Sequence, residues 1–394
     1  MRKLFTLAGL LMAFVLSVQT GNPVITRNIR MLKDSIVQSQ LISGLNAFLI
    51  AVQESNEQNK WVLPAEKLET YLLLDEMKDI GRLQQDNHFF KPYLTNIAPI
   101  DSGKYWIQLS YIGINQDTAY LRASFDIIAV RNNDSFLFSS PLIQNTQNWK
   151  SEKTGDCIFH FSDNMNREQA ALYAGTVAEF DGKIQSPVKT TEIYSCENAV
   201  DVLKLIGVSY KLDYNGLSNS AMYVVSDHKM IILQGFGDAA FNHFDPHDLF
   251  HSRANYAIPE NTRNHYMICG CAYLYGGSWG MSWEEIRNIF QVKMVGNKKI
   301  DWLKLYDERY NFGESQEKHL LVTQMINALI IRKVEREKGF DTVMELLASG
   351  NFLKEREHFF YILEKITGIN EKNFNKQVSK LIMDEYRQDK TSGL

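Results

Sequence analysis

The sequence predicts an α+β fold: a small N-terminal α+β domain, then a mixed-sheet domain that ends in helices alone. Apolar residues near the N-terminus first recur at helical spacing and then alternate with polar residues, as they do in a half-buried strand. Predicted strands and helices alternate through the middle of the chain, and only helical patterns follow Ser282. With 394 residues, the chain is long enough for two domains.

The first residues have the order of a secretory signal. A basic head, Met1 to Lys3, precedes a nearly continuous apolar run over residues 4–18, and polar or small residues follow it. We therefore expect a signal peptide over residues 1–21, cleaved near residues 17–21, and a periplasmic or extracellular mature protein. The apolar run is short for a membrane span, so an uncleaved anchor is the alternative, and no later stretch predicts a span.

Residues 24–148 are predicted to form the small α+β domain. Their pattern predicts two helices followed by three strands, at residues 29–52, 66–80, 104–112, 120–130 and 134–142. No catalytic combination of residues is recognised in this domain, so a binding or spacer role is expected. The polar residues 144–155 then predict a linker.

Residues 155–390 are predicted to form the second domain. Its mixed sheet is expected to extend to about residue 245, with strands at residues 157–161, 188–195, 221–226 and 230–234 and helices at residues 166–180 and 199–206. A motif helix is predicted over residues 246–254. A helical end is predicted over residues 282–388, with helices at residues 283–293, 316–338, 340–348, 354–366 and 371–387.

Two histidines, His247 and His251, stand four residues apart in the predicted motif helix. This spacing places both imidazoles on one face of a helix, as a zinc-binding pair requires. Asp248 follows the first histidine, where a carboxylate acts as the base on zinc-bound water. The same carboxylate also suits a helix start, because Asp245 can cap the helix and Pro246 fits its first position. Both roles of Asp248 stay open, and so does a chance origin of the histidine pair.

This part of the chain resembles the gluzincin-type, peptidase-MA-like zinc metallopeptidases. In that family H-E-x-x-H is followed about 18 residues later by a glutamate ligand, often within E-G-x-A-x-Y. The chain has H-D-L-F-H from His247 to His251, and C-G-C-A-Y from Cys269 to Tyr273 begins 18 residues later. The resemblance covers the layout of residues 155–390 and about 30 residues of motif. It implies a zincin-like fold for the second domain.

The resemblance implies a zinc site with two departures from the family pattern. Cys269 stands where the third ligand should be glutamate, and Asp248 stands where the base should be glutamate. Zinc accepts thiolate and imidazole together, so His247, His251 and Cys269 would form a three-ligand site with water in the fourth position. His265, four residues before Cys269, would be a substitute ligand, and the alternative is a surface or structural role. Aspartate is one methylene shorter than glutamate, so its carboxylate would be drawn back from the water.

Two functions follow from this resemblance. The first is an exported metallopeptidase-like protein that hydrolyses peptide bonds with zinc as its cofactor and Asp248 as its base. The alternative is a catalytically inactive peptidase-like domain, a pseudoenzyme, that binds peptides or a partner in the cell envelope, because two changes in one site are typical of decay. A zincin geometry would bring both imidazoles and the sulfur of Cys269 within reach of one point.

The net charge and the absence of other motifs exclude several classes of protein, and the pairing of the cysteines stays open. The net charge of −4 gives no electrostatic footprint for nucleic acid, and no G-x-S-x-G elbow, P-loop or complete dinucleotide fingerprint is present. Export would allow disulfides among Cys157, Cys196, Cys269 and Cys271. The four cysteines allow three pairings, and the sequence does not choose among them. A bridge between Cys269 and Cys271 would be strained, and a bridge between Cys157 and Cys196 is one suggestion. The alternative is four free thiols that behave as small buried hydrophobic groups.

Overall fold

The computed structural model describes residues 23–27, 29–295, 300–313 and 318–392. The expected signal peptide and its cleavage region lie outside these residues. The described residues form both helices and sheets, so the predicted α+β class is confirmed. Within them, no helix is both long and apolar enough to cross a membrane.

The chain divides into two compact units. The first contains the residues up to Asn148 together with Ala199–Val224, and the second contains the rest. The sequence predicts an uninterrupted second domain over residues 155–390. The structure differs from this prediction, because Ala199–Val224 belongs to the first unit. The cause of this difference is a strand pairing of long range, in which Val208–Lys211 joins the sheet of the first unit, and no local pattern predicts such a pairing.

The first unit begins with two helices, α1 (Ser35–Ala51) and α2 (Lys67–Met77). An antiparallel meander follows with β1 (Lys91–Asp101), β2 (Lys104–Asn115), β3 (Thr118–Asn132) and β4 (Ser135–Ser139), before the short helix α3 (Leu142–Asn145). The helix predicted over residues 29–52 starts only at Ser35, because the Asp34 side chain caps it by accepting a hydrogen bond from the backbone N–H of Ile36 at 2.9 Å. The sequence analysis missed β1, whose prolines are typical of loops but are tolerated in an edge strand.

The core of the first unit lies between α1 and one face of this sheet. The ring of Phe48 in α1 packs against that of Phe138 in β4, with their centroids 4.9 Å apart. In β3, the side chains of Phe125 and Ile127 are buried and that of Asp126 between them is half-buried. The alternation predicted for this strand is therefore confirmed.

The second unit opens with β5 (Lys150–Thr154), β6 (Cys157–Phe161), α4 (Arg167–Ile184) and β7 (Thr190–Cys196). Strand β5 is antiparallel to β6, whereas β6 and β7 are parallel neighbours whose connection is α4. The predicted linker over residues 144–155 therefore contains a strand. The residues of β5 are polar and largely exposed at the edge of the sheet, so they carry no apolar pattern.

The chain next contributes α5 (Ala199–Ile206) and β8 (Val208–Lys211) to the first unit, where β8 pairs antiparallel with β3. The division between the two units falls within β9 (Ser220–Ser226), after Val224, and β10 (Lys229–Gly235) belongs to the second unit. Strand β10 runs parallel to β7, and the strand order is β5-β6-β7-β10-β9. The sheet that precedes the motif helix is therefore mixed, as predicted.

The suggested disulfide between Cys157 and Cys196 is wrong. In the parallel register of β6 and β7, Cys157 lies opposite Thr191, which is five residues before Cys196. At about 3.3 Å per residue, the two cysteines are about 16 Å apart along the strand, beyond the roughly 7 Å that a disulfide can bridge. All four cysteines are free.

The rest of the second unit is helical, as predicted. Its helices are α6 (Pro246–Ala257), α7 (His265–Gly276), α8 (Trp283–Met294), α9 (Trp302–Asp307), α10 (Val322–Lys338), α11 (Phe340–Leu347), α12 (Arg356–Thr367) and α13 (Phe374–Ser392). Their apolar faces and that of α4 form one core, in which α10 is almost completely buried. The helix predicted from residue 316 starts at Val322, and residues 316–317 lie outside the described ranges. The sequence analysis missed α9, whose six residues are too few for a periodic pattern.

Candidate functional site

The start of α6 is built by two residues that precede the histidine pair. The carboxylate of Asp245 accepts a hydrogen bond from the backbone N–H of His247 at 2.8 Å, and Pro246 occupies the first helical position. Asp248 lies in the first turn with an exposed side chain, which makes no hydrogen bond with the residues that the structure describes. Partial desolvation and then the Asp245 carboxylate raise the pKa of Asp248, although its side chain is exposed.

Arg253 attaches α6 to the sheet and to α4. Its side chain is almost completely buried, at 1% exposure. The Nε atom donates to Oδ1 of Asp181 in α4 at 2.7 Å, and Nη1 donates to the hydroxyl of Thr191 in β7 at 2.8 Å. Nη2 donates to the other carboxylate oxygen of Asp181, so the pair is bidentate. This buried ion pair fixes the rotation of α6 and therefore the direction in which its histidines point.

Arg253 is not among the residues predicted for the site, although the sequence carries a signal for it. The buried positions of α6 are Leu249, Phe250, Arg253 and Ala254, which recur at helical spacing. An arginine within the apolar stripe of a helix requires a buried acidic partner, because a buried charge without one is strongly unfavourable. The identity of that partner, Asp181, depends on the tertiary fold.

His247 and His251 lie side by side on α6. Their ring centroids are 4.9 Å apart, and both side chains are half-buried. Burial, and then the nearby His247 and His265, lower the pKa of His251 to about 4. His251 is therefore a neutral imidazole at neutral pH, which is the form that can accept a hydrogen bond or bind a metal ion.

The end of α7 lies directly against the start of α6. A Cβ atom on Gly276 would lie 2.4 Å from the backbone nitrogen of His247, so only glycine permits this approach. Gly277 follows with φ +72° and ψ −150°, a conformation that other residues rarely adopt. Its carbonyl oxygen lies 2.7 Å from Nδ1 of His247. Because a carbonyl only accepts, Nδ1 donates the hydrogen, which leaves Nε2 as the nitrogen that can accept in the neutral tautomer.

Three residues of α7 share one side of that helix, and two of them approach the histidine pair, since Tyr273 lies beside His247 and His265 is near His251. His265, Cys269 and Tyr273 are spaced four residues apart, and Tyr273 has its ring centroid 5.7 Å from that of His247. The Tyr273 hydroxyl donates to the carbonyl oxygen of His319 at 3.2 Å. We call the group formed by His247, His251, His265 and Cys269, together with the buried Tyr273 beside His247, the imidazole face.

Cys269 is a half-buried free thiol. Burial raises the pKa of Cys269, against the opposing effects of a hydrogen bond with Gln324 and of the Arg309 charge, so the thiol is protonated at neutral pH. Among the residues that the structure describes, no group of three or more His, Cys, Asp or Glu side chains is arranged to hold a metal ion. The described arrangement therefore brings two imidazoles together without a third ligand of these types, and it does not fit a three-ligand zinc site.

The other histidine and carboxylates near the motif have structural partners. His243 precedes α6, and its Nδ1 atom lies 3.1 Å from the carboxylate of Asp238. Glu285 forms a capping box with Ser282 at the start of α8, and Glu284 pairs with Arg287 at 2.8 Å. These contacts place the acidic pair at the start of a helix, where it has a structural role.

Comparison with known proteins does not assign the chain to a family. No protein-family model matches the chain, and no curated protein matches it. The functional interpretation therefore depends on the chemistry of the imidazole face and on the motif resemblance.

Proposed function

We propose that the second unit is a peptidase-like domain that binds peptides at the imidazole face without hydrolysing them. The observation that carries this proposal is the position of Cys269. This residue stands where the gluzincin-type family has its third ligand, yet among the described residues it forms no metal-binding group with the two imidazoles. Asp248 is the second change, because its carboxylate is one methylene shorter than that of the family's glutamate base.

The imidazole face has groups that suit a peptide. Nε2 of His247 and the neutral ring of His251 can exchange hydrogen bonds with peptide amide groups. Trp279 lies in the tight turn that follows Gly277, and its side chain is 49% exposed. Its indole N–H donates to the carbonyl oxygen of His319 at 3.0 Å, which holds the ring in place. An exposed and fixed tryptophan is a strong anchor for an apolar side chain.

The zinc content and activity of the purified protein test this proposal. We expect the protein to retain peptides from a randomised library, to leave them intact and to lose them in His247→Ala. Wild-type protein that contains one equivalent of zinc, absent from His247→Ala, and that cleaves peptides would overturn the proposal in favour of hydrolysis.

Zinc-dependent hydrolysis is the second candidate, and one specific contact favours it. The hydrogen bond from Nδ1 of His247 to the Gly277 carbonyl oxygen is the kind of partner that metal-bound histidines have, because it leaves Nε2 free for the metal. His247 and His251 would hold the ion, and Cys269 would have to become a thiolate directed at the same point. The bound ion would supply polarisation of the peptide carbonyl and activation of water.

A gain-of-function variant tests the ancestry that both candidates share. The double substitution Asp248→Glu and Cys269→Glu restores the family pattern at both altered positions. We expect zinc affinity at least about tenfold above that of the wild type, since a third ligand completes the site. The matched control adds His247→Ala to this double variant and should lose the gained affinity. Unchanged zinc binding in the double variant would contradict the resemblance.

We also propose that the mature protein is exported to the periplasm or beyond the cell. The support is the order of basic, apolar and small residues over residues 1–21. Expression of the full chain should give a secreted product whose N-terminus begins after a cut near residues 17–21. An intact N-terminus in a membrane fraction would instead support the uncleaved anchor.

A further inference from the structure

Arg309 stands next to one end of the imidazole face. It follows α9, and its guanidinium carbon lies 5.5 Å from the ring centroid of Tyr266 in α7. Tyr266 is three residues before Cys269, so the two lie on neighbouring positions of the same helix surface. Burial raises the pKa of Cys269, and the Arg309 charge is one of the effects that oppose this, as expected for a cation near the thiol.

The carboxylates that neighbour Arg309 in sequence have other cationic partners. Asp307 pairs with Arg356 at 2.7 Å, and Glu308 lies 3.8 Å from Lys304. Arg309 itself is exposed, and its guanidinium makes no ion pair or hydrogen bond with a residue in the described part of the chain. A planar guanidinium fixed over an aromatic ring at a binding surface is suited to a carboxylate, which it can bind with two parallel hydrogen bonds.

We infer that the imidazole face takes peptides that carry a carboxylate, and that Arg309 is the residue that binds this carboxylate. This inference rests on the proposed peptide-binding function. It adds the chemical class of the ligand and a residue that determines specificity.

The dimensions of α7 give the position of the carboxylate in the peptide. Tyr266, under Arg309, and Tyr273, beside His247, are seven residues apart, which corresponds to about 10 Å along a helix. An extended peptide spans this distance with about three residues, at roughly 3.3 Å each. The carboxylate therefore lies about three residues from the peptide group opposite His247. It belongs either to an Asp or Glu side chain or to the peptide's C-terminus.

Two randomised peptide libraries distinguish these sources. One library has amidated C-termini and the other has free C-terminal carboxylates, and each is passed over immobilised full-chain protein. Enrichment of Asp and Glu at one position of the amidated library identifies a side-chain carboxylate, whereas preferential retention of the free-acid library identifies the C-terminus. Either result supports the inference only if it depends on Arg309.

Variants of Arg309 test whether the preference for carboxylates depends on this residue. In Arg309→Gln we expect the preference for carboxylates to fall at least about fivefold, as for loss of one partly exposed ion pair. Arg309→Lys, which keeps the charge, should retain part of it. Lys304→Gln removes a positive charge from α9, where Lys304 lies 3.8 Å from Glu308, and should leave the preference unchanged.

The outcomes separate this inference from the proposed function. Peptide retention without a carboxylate preference, or a preference that persists in Arg309→Gln, overturns the inference and leaves peptide binding intact. Failure of the wild-type protein to retain either library overturns the proposed function, and the inference with it. If Arg309→Gln is unfolded by circular dichroism, a loss of the preference in folded Arg309→Ala, with Lys304→Gln unaffected, supports the inference, and its persistence overturns it.

Discussion

The Nδ1 atom of His247 donates a hydrogen bond to the carbonyl oxygen of Gly277 at 2.7 Å. This single contact connects the first turn of α6 to the residue that caps α7. It selects the tautomer of the imidazole and orients its ring, while Gly276 brings the two helices close enough for the contact to form. The geometry of the imidazole face therefore depends on two glycines as much as on its histidines.

Gly277→Ala should destabilise the protein strongly. Its Cβ atom would lie 2.0 Å from the carbonyl oxygen of Met281, in addition to the unfavourable backbone conformation at φ +72°. We expect a loss of at least about 3 kcal/mol in the free energy of unfolding, measured by urea denaturation. Gly280→Ala is the matched control, because φ is +74° there but no atom lies within 4 Å of the added Cβ. A loss no larger than that of the control would contradict the proposed close contact.

Arg253→Leu should also lower the free energy of unfolding. The substitution leaves the carboxylate of Asp181 without its cation and leaves the Thr191 hydroxyl without its donor. Breaking a buried ion pair from one side costs about 3–5 kcal/mol, and we expect a value at the lower end because Asp181 is 17% exposed. The control is Arg167→Leu, which breaks an exposed pair with Glu152 and should change stability little. Equal effects in the two variants would refute the anchoring role of Arg253.

The stability of the protein should depend on pH through His251. Its pKa falls from 6.5 to about 4 on folding, so between these values the unfolded chain binds a proton that the folded chain does not. The contribution of neutral His251 to the free energy of unfolding is fully present above about pH 6.5, and it is lost as the pH falls toward about 4. We expect a contribution of about 2 kcal/mol to be lost between about pH 7 and about pH 5.

Chemical denaturation of the wild type and of His251→Asn at these two values measures this contribution. Comparison of the two proteins removes the effect of other groups that titrate in the same range. The variant should lose about 2 kcal/mol less than the wild type between about pH 7 and about pH 5. Parallel losses in both proteins would mean that His251 is solvated and titrates normally.

Cys269 should be the most accessible thiol of the native protein. Cys157, Cys196 and Cys271 are each buried, whereas Cys269 is half-buried. Because burial raises its pKa, alkylation of Cys269 should be slower than that of a small free thiol at neutral pH. Mass spectrometry after a short exposure to iodoacetamide should find modification mainly at Cys269, and Cys269→Ser should remove that signal. Predominant modification of another cysteine would contradict the packing of the second-unit core.

The features that the sequence predicts well are those that follow from local chemistry. Asp245 and Pro246 mark the start of α6 because their effects act on the neighbouring backbone, and the four-residue spacing of His247 and His251 gives their shared helix side by helix geometry alone. The edge strand β5 was missed because a strand without a buried face has no alternation to detect.

Other features depend on contacts between residues far apart in the chain. The partner of Arg253 is Asp181, 72 residues earlier, and the parallel register that separates Cys157 from Cys196 arises only when β6 and β7 pair. The environment of Cys269 is likewise set by Gln324, on a helix that begins more than forty residues later. No local pattern predicts these choices, since each requires knowing which surfaces meet.

The sequence by itself determined the α+β class, the helical end of the chain and the position of two imidazoles one turn apart. Hydrophobic periodicity and helix-start residues act over a few positions, so their effects can be predicted without a fold. The tertiary structure decided that α5 and β8 belong to the first unit and that Cys269 is a protonated thiol near Arg309. Burial and long-range pairing decide these features, and both arise only when distant segments pack together.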